Sequence, residues 1–386
     1  MELYLIAFSV FIANAIAFVL RRVSVPPIAA YIFTGILLGP SVLGLVQDVT
    51  EGQLITFSLL LLLFYTGLNV DFKGLRSYLG LALETTLIGV GFTVGITVAA
   101  MTWAGFGLLP SLVVGISLGN TATEVVVIML HHSYGVSEEF KRVLIMASFM
   151  DDIVAIVFMS LLAGVISGDV AGVGTDLLKI TGFMAAFLLA AYFIFVKNSS
   201  RIYRLVIEWD MFVMLASLIF FGTLVAARVT GISDIMGAYV AGLVLSTLRL
   251  IHDPTLVYTV RVEELMSRVT TVLDLFVAPI FFVFVGYATV VSYLMTPTFG
   301  MILALAIIGK TVGSSLPHII RGRYKEALAI GIAMNVRGSI EPALALLALS
   351  YGVIGPQLYT SIIGVSLMTS AIIPVIFNIL TWYEEV

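Results

Sequence analysis

The sequence predicts an all-α protein that crosses a membrane many times. Of its 386 residues, 60% are hydrophobic and 11% are charged, and the mean hydropathy is +1.14. A soluble domain does not hide that much apolar surface, whereas a polytopic membrane protein presents it to lipid. The sequence also lacks the alternation of polar and apolar residues that a membrane β-barrel needs, so the spans are expected to be helices.

Thirteen apolar runs approach the ~20 residues that cross a bilayer core. They cover approximately 2–19, 27–46, 53–70, 80–104, 109–130, 142–167, 179–197, 208–228, 231–250, 271–294, 297–318, 326–350 and 356–382. The first run lacks the flanks of a signal peptide and is expected to remain as a span. The longest gap, 251–268, is expected to be a loop with a short amphipathic helix. No soluble domain is expected outside the spans.

The basic residues predict an orientation. Fifteen lysines and arginines lie in or beside the loops after odd-numbered spans, against two, Lys179 and Arg228, after even-numbered ones. Because cytoplasmic loops carry the excess of positive charge, the odd loops are expected in the cytoplasm and the N-terminus outside. The C-terminal Glu384 and Glu385 are also expected outside.

The residue types exclude several kinds of site. The chain has no cysteine, which excludes disulfides and thiolate metal sites. It has no basic patch interleaved with aromatic residues, so no nucleic acid partner is expected.

Six ionisable residues fall deep inside predicted spans. They are Glu124, Asp151, Asp152, Lys310, Arg337 and Glu341. Each charge at mid-bilayer costs roughly 2.5–3.5 kcal/mol even on lenient scales. A single pair that locks two helices together would need no further explanation. Six groups in four spans are harder to explain as structure alone, because apolar packing is often at least as favourable. A pathway for protons or cations accounts for them better.

The stretch 147-ASFMDDIVAIVF-158 places two carboxylates side by side in an apolar helix. Ser148 and Asp152 are four residues apart and share a face, so a hydroxyl and a carboxylate can face one cation. Asp151 is rotated by about 100° and is expected to meet another partner, for which Lys310 is the candidate. Oxygen ligands of this kind suit Na⁺, K⁺ or H⁺.

The fifth and twelfth spans are both interrupted at their middles. The segments are 115-GISLGNTATEVVV-127, with Asn120, and 331-GIAMNVRGSIEPALA-345, with Asn335 and Pro342. Matching breaks in two halves of a chain indicate an inverted-repeat transporter with discontinuous helices at the midplane. Ordinary helix packing through small residues is the alternative.

Charged residues in these interruptions favour the transporter interpretation. Glu124 lies in the first, and Arg337 and Glu341 lie in the second. Half-helices that face each other bring partial charges together, and fixed ionic side chains there offset the dipoles.

Four further segments carry a resemblance to a known family. They are 26-PPIAAYIFTGILLGP-40, 60-LLLLFYTGLNVDFKGLR-76, 237-GAYVAGLVLS-246 and 279-PIFFVFVGY-287. With the twin aspartates, they resemble the monovalent cation:proton antiporter-2 family, which includes Kef-like and NapA-like transporters. The likeness runs nearly end to end.

The resemblance implies an antiporter fold of about thirteen helices, arranged as an inverted repeat with two discontinuous helices that cross. It implies a core at 80–167 and 297–382, a dimerisation or scaffold domain at 2–70 and 208–294, and a linker helix at 179–197. It further implies a homodimer. The nucleotide-binding regulatory domain that Kef-like systems usually carry is not expected here.

The resemblance also implies roles for residues of the site. Asp152 matches the main cation-carrying carboxylate, and Asp151 matches the group that pairs with the basic residue, here Lys310. Thr123 and Ser148 match supporting ligand positions, and Glu124 follows the threonine as an acid does in some relatives.

One departure concerns the second interruption. Ser339 stands where many relatives have Glu, and Glu341 follows two positions later. With Asn120, Asn335 and Arg337, Glu341 is expected to compensate the dipoles at the helix breaks.

The expected function is secondary antiport of Na⁺, with Li⁺ or K⁺ as further candidates, against H⁺ in a prokaryotic plasma membrane. Burial disfavours the ionised form of a carboxyl group, so protons and cations can compete for one site. The cation would sit at Asp152 and Asp151, and exchange would be electrogenic. No cofactor and no enzymatic activity are expected.

Four alternatives remain at this point. The first is electroneutral K⁺/H⁺ antiport, and the second is a sodium-coupled solute symporter of similar architecture, which would need a roomier polar site. An intramembrane aspartyl protease would need a G-x-G-D signature, and the nearest approach, 166-ISGD-169, lacks the first glycine. The fourth is a structural or channel role.

Two histidines close the fifth predicted span. His131 and His132 lie near the predicted cytoplasmic side. A role in pH sensing is physically reasonable, and a solvated loop is the alternative.

Overall fold

The computed structural model describes residues 3–20, 26–45, 52–70, 72–131, 133, 135–166, 173–198, 203, 206–251, 256–338 and 340–383. In this part of the chain the regular structure is helical. The α-helices are α1 Leu3–Leu20, α2 Pro27–Leu38, α3 Gln53–Asn69, α4 Phe72–Trp103, α5 Leu108–Gly119, α6 Thr123–His131, α7 Glu138–Ile166, α8 Val173–Ala191, α9 Trp209–Val229, α10 Asp234–Ser246, α11 Val257–Val272, α12 Ala278–Tyr287, α13 Pro297–Ile320, α14 Tyr324–Ala333, α15 Ile340–Ser350 and α16 Pro356–Tyr383.

Eight helical stretches are long and apolar enough to cross a membrane. They are Tyr78–Trp103, Leu108–Leu130, Glu138–Leu162, Thr175–Val196, Trp209–Val229, Val257–Tyr287, Pro297–Ile320 and Pro356–Thr381. Four shorter apolar helices lie at Tyr4–Leu20, Pro27–Leu38, Gln53–Asn69 and Ile340–Ser350. The chain is therefore a helical multi-pass membrane protein, while the count of thirteen spans stays a prediction.

The tenth predicted span begins earlier than its hydropathy indicates. Helix α11 starts at Val257, inside the expected loop 251–268, and continues through a π-helical turn at Leu273–Val277 into α12. An amphipathic helix is present, but it is the first half of a continuous helical stretch that ends at Tyr287. The charged residues of α11 lower the local hydropathy, so the apolar pattern did not indicate that the helix starts here.

The predicted orientation contains a contradiction. An odd number of crossings puts the two ends of a chain on opposite sides of a membrane. Thirteen spans and an external N-terminus therefore require a cytoplasmic C-terminus, and the expectation that both ends lie outside was wrong if the span count holds. Glu384 and Glu385 lie outside the described residues.

The helices pack into two compact units. The first comprises Met1–Glu51, Ser77–Ala155 and Pro279–Val386, and the second comprises Gly52–Arg76 and Ile156–Ala278. Both helix interruptions, the twin aspartates and Lys310 belong to the first unit.

Within each unit, the family-like segments bring a pair of helices together backbone to backbone through glycine. In the first unit, a Cβ on Gly286 of α12 would lie 2.2 Å from the Ile32 carbonyl oxygen of α2. In the second, a Cβ on Gly242 of α10 would lie 2.1 Å from the Phe64 carbonyl oxygen of α3. Small residues allow helix backbones to approach this closely in a membrane. The four family-like segments therefore form two tight helix pairs.

Substitution of Gly286 by Ala should lower the melting temperature of the purified protein. The added methyl group must push α2 and α12 apart, and overpacking of this kind costs about 1–3 kcal/mol. The matched control is Gly91→Ala in α4, where an added Cβ meets no atom of the described ranges within 4 Å. Thermal unfolding in detergent measures both variants, and equal melting temperatures would contradict the packing described here.

Candidate functional site

Helix α7 carries the twin aspartates into the interior of the first unit. Asp151 is 1% exposed and Asp152 is 2% exposed. Since adjacent residues on a helix point about 100° apart, the two carboxylates meet different neighbours. Burial of two charges is unfavourable unless each is paired, hydrogen-bonded or neutralised.

Asp151 forms an ion pair with Lys310 of α13. The distance between Lys310 Nζ and Asp151 Oδ2 is 2.6 Å, and both side chains are fully buried. Lys310 also donates a hydrogen bond to the carbonyl oxygen of Gly119, the last residue of α5. The ammonium group thus binds a carbonyl oxygen at the C-terminus of α5, where carbonyl groups lack partners within the helix and the helix dipole favours a cation. The predicted pairing of Asp151 with Lys310 is present.

Asp152 is held by neutral donors. Thr123 Oγ1 donates to Asp152 Oδ2 at 2.9 Å, and Asn120 Nδ2 donates to Asp152 Oδ1 at 3.4 Å. Within the described ranges, no ion pair involves Asp152. The carboxylate is therefore buried and hydrogen-bonded without a basic partner in contact.

The two helix interruptions touch each other. Helix α5 ends at Gly119 and α6 begins at Thr123, while α14 ends at Ala333 and α15 begins at Ile340. The backbone amide of Ala122 donates to the carbonyl oxygen of Val336 at 2.9 Å. The extended backbone between the half-helices is thus partly satisfied by the opposite interruption, as a buried backbone requires.

Arg337 satisfies carbonyl oxygens around these interruptions. Its guanidinium donates to the carbonyl oxygens of Leu118 at 2.5 Å, Asn335 at 3.2 Å and Ala306 at 3.3 Å. The side chain is fully buried, and its Nε has no hydrogen-bond partner in the described part of the chain. Arg337 therefore places its positive charge where α5 ends and exposes carbonyl groups.

The two asparagines of the interruptions bind different groups. Asn335 Nδ2 donates to Thr311 Oγ1 at 2.8 Å and to the Gly331 carbonyl oxygen at 2.7 Å. Asn120 Nδ2 reaches Glu341 Oε1 at 3.3 Å in addition to Asp152. Asn335 thus closes its own helix end, whereas Asn120 joins two carboxylates.

Glu341 lies in the first turn of α15 and is 1% exposed. The backbone amide of Gly338 donates to Glu341 Oε2 at 3.0 Å. A carboxylate that accepts from an N–H at a helix N-terminus is favourably placed. Sequence reasoning did not predict that Asn120 links Glu341 to Asp152, because the two acids are 189 positions apart in sequence and nothing in their spacing indicates a contact.

The remaining predicted site residues lie around this cluster or beyond the described part. The hydroxyl of Ser148 donates to the Ile145 carbonyl oxygen of its own helix at 2.8 Å. Glu124 is half-buried at the start of α6, next to Thr123. His131 ends α6 and its side chain is outside the description, as is the whole of His132.

A small recess, partly open to the surroundings, reaches the second interruption. It is lined by Ile32 of α2, Val125 of α6, Gly338 of the interruption and Ser366 of α16. Gly338 is the residue whose amide binds Glu341, so the recess approaches the carboxylate cluster from one side.

Comparisons with known proteins show the family of the chain. A sequence profile described as "Sodium/hydrogen exchanger, transmembrane" matches residues 6–383. The chain is 23% identical to the ammonium/H⁺ antiporter subunit AmhT of Alkalihalophilus pseudofirmus, over 86% of this chain and 82% of that protein. It is 24% identical to the Na⁺/H⁺-K⁺ antiporter GerN of Bacillus cereus, over 92% of this chain and 89% of that protein.

A solved structure shows the same fold. The sodium proton antiporter MjNhaP1 of Methanocaldococcus jannaschii superimposes with a TM-score of 0.74 over 98% of this chain and 97% of that one, at 17% sequence identity. The profile match covers nearly the whole chain. The protein therefore belongs to the family of transmembrane sodium/hydrogen exchangers.

Proposed function

We propose that this protein exchanges Na⁺ for H⁺ across the membrane by alternating access at the twin-aspartate site. One observation carries the proposal: Asp152 is buried, accepts hydrogen bonds from Thr123 and Asn120, and forms no ion pair within the described residues. Such a group needs either a proton or a cation, because an isolated buried carboxylate is strongly unfavourable.

Asp152 is the carrier in this mechanism. When the site opens to the side with more Na⁺, the cation displaces the proton from the carboxylate. When it opens to the other side, a proton displaces the cation. Only one of the two occupies the site at a time, and this competition couples the two fluxes. Thr123, Ser148 and Glu124 are the proposed supporting ligands, with Asp151 as the second carboxylate of the site.

Asp151 and Lys310 supply the second proton. In the cation-free site they form the observed 2.6 Å ion pair. When Na⁺ binds, the pair separates, Asp151 turns towards the cation and Lys310 releases its proton. More than one proton then exchanges for each Na⁺, which makes transport electrogenic. The Gly119 carbonyl oxygen, which Lys310 also binds, holds the lysine nitrogen near the site while the pair is broken.

The finer architecture belongs to the same proposal. About thirteen spans form an inverted repeat with two crossing discontinuous helices. The core at 80–167 and 297–382 moves against a scaffold at 2–70 and 208–294, joined by the helix at 179–197, and the protein is a homodimer in a plasma membrane. Contacts between the two interruptions support the crossing helices. The dipoles of the broken helices are offset by Asn120, Asn335, Arg337 and Glu341. The pH is sensed by His131 and His132.

Electroneutral K⁺/H⁺ antiport is the second candidate. It is favoured by the likeness to GerN, a Na⁺/H⁺-K⁺ antiporter. An ion pair that stays closed throughout the cycle would leave Asp152 as the only exchanging group, and one proton would then balance one cation. The two candidates differ in the charge that each cycle moves.

Replacement of Asp152 by Asn should abolish exchange. Asn keeps the shape of the side chain and removes the negative charge, so neither a proton nor a cation is carried. Dequenching of a pH-sensitive dye on Na⁺ addition to acid-loaded proteoliposomes measures the rate. The control is Asp176→Asn in α8, which removes an acid from a surface pair with Lys179 and should leave exchange unchanged. Exchange that survives in Asp152→Asn would refute the proposed function.

Na⁺ jumps should produce a transient current in wild-type proteoliposomes adsorbed to a solid-supported membrane. The net charge follows from more than one proton moving against each Na⁺. Li⁺ and K⁺ jumps on the same sensor rank the cations. Robust Na⁺ flux without current would overturn electrogenic transport, and a K⁺ response that exceeds the Na⁺ response would favour the second candidate.

A further inference from the structure

The Asn120 side chain joins carboxylates from two distant parts of the chain. Its amide nitrogen lies 3.4 Å from Asp152 Oδ1 and 3.3 Å from Glu341 Oε1. Both oxygen atoms are thus within hydrogen-bond distance of one nitrogen, although Asp152 belongs to α7 and Glu341 to α15. A group that replaced the amide protons between them would contact both carboxylates at once.

The second feature of this site is the amide oxygen of Asn120, which needs a hydrogen-bond donor or a cation. Asn120 is 2% exposed, and its Oδ1 has no hydrogen-bond partner among the residues that the structure describes. A buried acceptor that lacks a donor is unfavourable. Rotation of the amide by half a turn exchanges its oxygen and nitrogen. The oxygen would then face the gap between Asp152 and Glu341, where it can bind a cation.

The charges around this gap do not balance without a ligand. The fully buried groups include three carboxylates, those of Asp151, Asp152 and Glu341, and two cationic side chains, Lys310 and Arg337. Lys310 pairs with Asp151, and the hydrogen bonds of Arg337 go to carbonyl oxygens. In the cation-free site, with the ion pair closed and all five groups ionised, one negative charge is left over. This excess charge attracts a proton or a monovalent cation to the gap before the pair opens.

We propose that Glu341 is a direct ligand of the transported cation, which binds between Glu341 and Asp152 with the Asn120 oxygen as a third ligand. This inference rests on the proposed antiport and adds a residue to its site. Hard oxygen donors are the ligands that alkali cations prefer. A role limited to the dipole of α15, through the Gly338 amide, is the alternative, and it leaves the cation affinity independent of Glu341.

The test compares Glu341→Gln with the wild type in proteoliposomes. Gln keeps the size of the side chain and removes the charge. If Glu341 binds the cation, the KM for Na⁺ should rise about tenfold or more, while folding, judged by size-exclusion chromatography and melting temperature, is retained. The control is Glu138→Gln at the exposed start of α7, which should leave the KM unchanged.

Each outcome decides the inference. A folded Glu341→Gln protein with the wild-type KM for Na⁺ would overturn it, whatever happens to the maximal rate. If Glu341→Gln does not fold, Glu341→Asp is measured instead. Because the Asp side chain is one methylene shorter, its carboxylate lies further from the cation and the KM for Na⁺ should rise severalfold. An unchanged KM counts against the ligand role. The proposed antiport fails separately, through activity in Asp152→Asn, so the two failures are distinguishable.

Discussion

The site depends on how charge is kept inside an apolar protein. Five fully buried ionisable groups lie around two broken helices, and each broken end exposes carbonyl or amide groups. Lys310 and Arg337 bind carbonyl oxygens at the end of α5, and Glu341 binds the Gly338 amide before α15. The same backbone groups that make the breaks unfavourable thus stabilise the charges. The free carbonyl and amide groups at the helix breaks need hydrogen-bond partners, and the buried charged side chains need groups of opposite partial charge. Each set supplies what the other lacks.

This arrangement separates the two aspartates by chemistry. Asp151 has a cationic partner, whereas Asp152 has the hydroxyl of Thr123 and the amide of Asn120. A paired carboxylate is stable when ionised, and an unpaired one is not. Two neighbouring residues can therefore hold their protons or cations with different strength, although their backbone positions are equivalent. An exchanger needs this difference if one carboxylate carries the ion and the other changes its partner when the ion binds.

The sequence predicted the helical class, the burial of the twin aspartates, the partner of Asp151 and the two helix interruptions. Charged residues within an apolar run are visible in the sequence itself, and so are runs of small and polar residues that interrupt a span. The sequence did not predict the link through Asn120, because the contacts of the interruptions depend on folding and not on spacing. Helical periodicity placed Ser148 on the face of Asp152, but the Ser148 hydroxyl binds its own backbone. The start of α11 was hidden by Arg261, Glu263, Glu264 and Arg268, whose charges interrupt the apolar run. The ligand roles of these residues stay predictions.

The central claim is that Na⁺ and protons compete for the same buried carboxylate. Its most direct measurement is the proton release that follows Na⁺ addition to purified protein in weak buffer, read by a pH indicator against choline chloride as the reference. Na⁺ is expected to release protons from the wild type, more than one for each Na⁺ bound, and none from Asp152→Asn. Na⁺ binding without proton release would contradict the claim.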